Sequence, residues 1–313
     1  STGTIKTDKV SGDVDQTGAA TLQANTAANG LTVTGKVTQN ADEAKVGTDV
    51  EDVTIGGALT QTAGEINAST LTLQSGGSLG GTVTAGGVVA KNAGDEAQVI
   101  TASGSVTANS ITASTLAASG TVKADTIEAD VTQTAGMVRA DEINGNITQN
   151  GDGALIEART DGKTGADITG TITQTKGEIK AGTLTGDLVQ NADTASDAVF
   201  SADEVTGTVS GNGTKSITTA NNVVLTDGVE AYGTIKGTLT QSGGTLNAKD
   251  GTLLVKGEAS LTGGVTSSTS DNVTFESALT QGEGNTLNAS TLTLQSGGSL
   301  GGTVTAGGVV AKN

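Results

Sequence analysis

Proline, cysteine, histidine and tryptophan are all absent from these 313 residues. Without Cys there is neither a disulfide framework nor a thiolate metal site. Without His, the commonest general base and zinc ligand are missing too. Rings make up 1% of the chain, supplied by Phe200, Phe275 and Tyr232. A broad core between packed layers normally uses aromatic bulk, so the interior expected here is narrow and filled with Val, Ile, Leu and Ala. No apolar run approaches the roughly 18 residues of a membrane span, and no signal peptide is visible. Cations are scarce: 16 Lys and Arg stand against 33 Asp and Glu, for a net charge of −17. That balance disfavours nucleic acid and anionic membranes, both polyanions. Neither nucleic-acid binding nor membrane insertion is expected.

Glycine is abundant, at 48 residues. With no proline and no three-residue glycine period, a collagen triple helix is excluded. Low hydrophobicity and high net charge also suit disorder. Against disorder stand a mean hydropathy of −0.09, many β-branched residues and an ordered periodicity.

Repetition is the strongest positive signal. Asn67 to Asn92 recurs letter for letter at Asn288 to Asn313. An ordinary enzyme core does not reuse a long identical segment, because each part packs against different neighbours. The chain therefore reads as one continuous β-solenoid over 1–313, a window of a longer array in which 53–92 is repeated at 273–313.

A shorter period lies inside the long one. Gly3 to Gln16, Gly120 to Gln133, Gly136 to Gln149 and Gly177 to Gln190 share one pattern. It runs Gly, any, Ile/Val, Lys/Arg, small, two polar, aliphatic, any, Gly/Ala, Asp/Asn, aliphatic, any, Gln. Weaker copies start at Gly64, Gly81, Gly104 and Gly244. Each copy holds two runs of period-2 alternation with a phase break after the small residue, as two strands meeting at a corner require. Frequent Gly, Thr and Val argue against helix. Such short strands cannot bury their inner faces alone. Wound into coils, each pairs in parallel with its counterpart about 4.8 Å along. The expected fold is all-β: a parallel β-helix of about 20 residues per coil and roughly 15 coils, its insertions at 40–43, 149–153 and 191–196 bulging at one corner. Asn-Gly pairs at Asn29-Gly30, Asn144-Gly145, Asn150-Gly151 and Asn212-Gly213 offer a rival, since Asn-Gly favours two-residue hairpins and antiparallel sheets.

Stacking would align like residues into files. The most regular file comprises Gln16, Gln39, Gln61, Gln133, Gln149, Gln174, Gln190, Gln241 and Gln281, each two residues after an aliphatic one. Alternation turns these amides inward near a corner. A buried amide is costly unless paired, but stacked amides can donate and accept along the file. The expected role is structural, with ligand binding the alternative. An outward file places Lys123 and Arg139 before the small residue, with Asp125 and Asp141 after it. These could pair sideways or simply keep the face solvated.

Candidate chemistry is thin. Acids cluster at Asp42-Glu43, Asp49 with Glu51-Asp52, and Asp95-Glu96, and calcium takes oxygen ligands. Weak calcium sites are conceivable, but no EF-hand or Gly-Gly-x-Gly-x-Asp pattern is present. Parallel β-helices can carry sugar-cleaving sites, and Asp125 with Asp141 is the one stacked acid pair. Any stacked file yields such a pair, so no catalytic site, cofactor or metal site is assigned.

Leu59 to Gly76 and Gly244 to Val255 resemble the repeats of filamentous-haemagglutinin-like adhesins, bacterial exoproteins exported by two-partner secretion. The resemblance spans most of the chain but rests on structural repeats, so no functional residues carry over. It implies a right-handed parallel β-helix, a cell-surface or secreted location, and a structural rod serving adhesion or biofilm cohesion. Its expected partners are further copies of the same repeat, with a host or cell-surface ligand bound outside this window. The family's amino-terminal secretion domain is not recognisable. The alternative is a subunit of a self-assembling extracellular filament or sheath, since solenoid ends expose unpaired strand edges.

Overall fold

A computed structural model describes residues 3–312. It is all β: parallel strands wound into a solenoid of about 18 residues per turn. The residues divide into two compact units, Ser1–Ile147 with Ala154–Asp161, and Thr148–Gly153 with Gly162–Asn313.

In the first unit one inward file runs coil by coil through Ile5, Leu22, Val46, Ile66, Val83, Val106, Val122, Val138 and Ile156. In the second, the corresponding file is Ile179, Phe200, Lys215, Glu230, Leu246, Thr266, Leu287 and Val304. The ladders described within each unit are parallel, which sets aside the hairpin reading. Antiparallel contact is confined to two isolated bridges, Lys91↔Ala97 and Lys249↔Thr252.

Coil length varies because corners vary, not strands. Ser105 pairs with Thr121, and Thr121 with Met137, so these coils need only 16 residues. Val83 pairs with Val106, 23 residues on, because 91–98 loops out between them. The average falls below 20 because compact coils of this kind are common. Insertions at 40–43 and 191–196 directly follow Gln39 and Gln190, so they leave the solenoid at the same corner of their coils.

Within the strand Ser105–Ala118, every second residue is buried on either side of the phase break: Val106 and Ala108, then Ile111 and Ala113. The apolar interior is Val, Ile, Leu and Ala, joined by all three rings, Phe200, Tyr232 and Phe275, each fully buried. Burying an aliphatic side chain of this size stabilises by about 1.5–3 kcal/mol, and in the first unit the file from Leu22 to Ile156 supplies one such residue per coil.

Candidate functional site: the interior polar files

Every glutamine of the predicted file is buried, at 6% exposure or less. Gln16 pairs with Gln39 and Gln39 with Gln61 in register, and Gln174 pairs with Gln190. The file is not continuous. In the first unit, Leu79, Ala102 and Ala118 occupy it between Gln61 and Gln133. In the second, Gly211 follows Gln190, and Leu225, Gln241, Leu261, Gln281 and Leu300 alternate further on.

Amide-to-amide bonds exist within the runs. Gln61 Nε2 donates to Gln39 Oε1 (3.0 Å), Gln174 to Gln149 (2.8 Å), and Gln190 to Gln174 (2.7 Å). The commoner partner is backbone. Gln61 Nε2 donates to the Gly64 and Thr82 carbonyls, Gln133 to Gly136 and Leu155, Gln174 to Gly177 and Val199, and Gln241 to Gly244 and Val265. The amide thus staples its own corner to the next coil. The inward Oε1 atoms of Gln16, Gln61, Gln190 and Gln281 are buried without a partner.

Corner length tracks where an amide stands, with two departures: Leu225, three residues before Gly228, and Gly211, two before Gly213. The glycine that opens each repeat comes three residues after Gln61, Gln133, Gln174 and Gln241, but two after Leu79, Ala102 and Ala118. In the longer corners that glycine's carbonyl takes two bonds. Gly64 accepts the Thr82 N–H and the Gln61 amide, and Gly136 accepts the Leu155 N–H and the Gln133 amide. In the shorter corners Gly81, Gly104 and Gly120 accept the backbone N–H of Ser105, Thr121 and Met137. Glycine is required at either corner length: a Cβ on Gly120 would stand 2.1 Å from the Gly104 oxygen, and one on Gly136 2.1 Å from the Gly120 oxygen.

Leu261 stands at a longer corner without an amide of its own. There Asn285, from the next coil, donates through Nδ2 to Gly263 and Gly264 (3.1 and 3.2 Å) and to Thr266, whose hydroxyl donates to Gln241 Oε1. Beside Gly211 the substitute is charged. Lys215 Nζ reaches the Gly211 and Gly213 carbonyls (3.1 and 3.3 Å) and lies 2.5 Å from Glu230 Oε1. Tyr232 donates its hydroxyl to Glu230 Oε2 at 2.6 Å. Both members of the ion pair have fully buried side chains. Burial lowers the Lys215 pKa and raises those of Glu230 and Tyr232, the last well above its ordinary value, with the Glu230 charge adding to the tyrosine's shift. Sequence reasoning missed this cluster; its signal was a Lys and a Glu on phases that elsewhere carry Ile, Val or Leu.

The outer corner holds a second device. Asp13, Asp130 and Asp187 accept, through Oδ1, the backbone N–H of Lys36, Asn146 and Thr208 one coil on, and Asn222 does the same for Thr238. This explains the Asp/Asn position of the repeat. The outward charges pair onward rather than sideways: Arg139 with Glu157 (2.5 Å) and Arg159 with Asp125 (2.8 Å). Asp141 instead accepts the Arg159 and Thr160 N–H groups. Among the described residues no three carboxylates gather as a metal-holding group. Glu51, one of the clustered acids, is buried and accepts the Ala24 N–H.

The interior polar groups therefore serve the backbone, and they do not converge on an open cleft. No family model, curated protein or solved structure matches this chain.

Proposed function

We propose that the chain is a structural repeat rod of a bacterial surface adhesin, located outside the cell, that mediates adhesion or biofilm cohesion. The observation that carries this reading is the duplicated segment. Asn67 to Thr72 pairs with Thr84 to Val89, and Asn288 to Thr293 pairs with Thr305 to Val310, in the same register. The same sequence makes the same pair of coils at two places, so the coil pair is an interchangeable module whose use lies in its number. Length and valency are what repetition supplies.

A filament or sheath subunit is the second reading: the parallel pairing that stacks coil on coil within the chain is also the pairing that would stack one chain on another. Electron microscopy of the purified chain distinguishes the readings. Isolated rods of one length support the adhesin rod, and indefinite fibres or lateral bundles support the filament. Compact globular particles would remove both.

A further inference from the structure

We propose that Lys215 and Glu230 are joined by an amide bond linking two adjacent coils. They are register partners on neighbouring strands, both pointing inward. Nζ and Oε1 are 2.5 Å apart, and neither side chain has any solvent exposure. The flanking members of the file are Phe200 and Leu246, so the pair sits between apolar layers.

In water, amine and acid resist condensation because both are charged. Burial lowers that obstacle here, since it acts on each group toward its neutral form. A proton passing from Nζ to Oε1 yields a free amine and a carboxylic acid. The two remaining N–H bonds point to the Gly211 and Gly213 carbonyls, which leaves the nitrogen lone pair aimed at the carboxyl group. Nζ then attacks Cδ. The Tyr232 O–H, already on Oε2, stabilises the negative charge that develops there. A second Nζ proton transfers to the Oε1 hydroxyl, the Cδ–Oε1 bond breaks, and one water leaves. One N–C bond forms, one C–O bond breaks, and no oxidant or reductant is needed. Holding the reactants together supplies an effective concentration of about 10⁵–10⁸ M where alignment is good. The product amide keeps one N–H for the glycine carbonyls and its oxygen for Tyr232.

Intact mass spectrometry of the folded chain tests this. The expected mass is one water below that of the sequence, with the tryptic peptide 181–236 recovered lighter by one water and uncut after Lys215. Glu230→Ala and Lys215→Met are expected to retain the full mass. Tyr232→Phe is expected to accumulate unlinked chain. Wild-type protein that has a strand-rich circular dichroism spectrum, carries its full mass and is cleaved after Lys215 would overturn the bond. A fully linked Tyr232→Phe chain would overturn the role given to the tyrosine.

Discussion

The glutamine file breaks in both units, and the two breaks are filled by opposite means. In the first, Leu79, Ala102 and Ala118 stand beside a file that stays aliphatic through Val83, Val106 and Val122. In the second, Gly211 and Leu225 stand beside Lys215 and Glu230, and Leu261 beside Thr266 and Asn285. The lesson concerns corners. Two-residue turns such as Leu79-Gly80-Gly81 have their inner carbonyl satisfied by backbone alone and can be lined with hydrocarbon. The longer corners mostly draw a side-chain donor to the glycine carbonyl, from glutamine in most coils and from asparagine at Leu261, while at Leu225 the Gly228 carbonyl takes the Thr245 N–H alone. At Gly211, which also closes in two residues, the donor is a lysine. Buried polar groups are tolerated where they complete such bonds, and the polar residues of the second unit mark the sites that need them.

The largest effect expected from breaking this contrast comes from Glu230→Leu. It leaves the Lys215 amine alone in the core, and removing one partner of a buried pair costs about 3–5 kcal/mol. Urea unfolding should show a lower midpoint. Lys215→Met with Glu230→Leu, which imitates the hydrocarbon filling of the first unit, should recover part of that loss. If the single variant unfolds like the parent, the polar break is no more demanding than the aliphatic one.

A smaller effect sharpens the corner rule. Gln174→Leu removes the donors to Gly177 and Val199 and the acceptor of the Gln190 amide. A loss of about 1–3 kcal/mol is expected from the buried polar groups left unpaired. The reverse change, Leu79→Gln, forces an amide into a corner one residue shorter, and overpacking there should cost about 1–3 kcal/mol. Thermal unfolding that shows Leu79→Gln to be neutral would remove corner length as the deciding variable.

The coil was legible in the sequence because its strands alternate: Val138, Ala140, Ile143 and Ile147 are all buried, as their spacing predicts. The burial of all nine glutamines was legible for the same reason. What could not be read was which file position each coil brings next to the next. Gln61 meets Leu79 rather than another Gln because of an offset of 18 residues, and offsets depend on how many residues each corner loops out. Lys215 was hidden by its type. A lysine in an alternating strand reads as outward, and only the Gly211 corner, seen in three dimensions, gives its ammonium a reason to point in.

The smallest effect lies on the outer surface, at the acid that follows the phase break, Asp8, Asp125 and Asp141 in the first unit and Asp203 in the second. Asp8 accepts the Asn25 and Thr26 N–H groups and the Asn29 amide, pinning the turn Ala27–Asn29 of the next coil. These bonds, the Asn29 side chain first, hold the Asp8 carboxyl below its ordinary value of 3.8. A depressed folded pKa stabilises the structure at pH above the unfolded value, and the contribution is lost as pH falls through the folded one. The turn should therefore loosen only below about pH 3.8, read as faster amide exchange at Asn25 and Thr26. Solvent screens this exposed site, so the unfolding midpoint of the whole unit should barely move. Asp8→Asn should abolish the pH response while keeping part of the turn, because an amide oxygen still accepts. A pH-dependent exchange rate surviving in that variant would move the switch to another carboxylate and leave Asp8 as an ordinary surface acid.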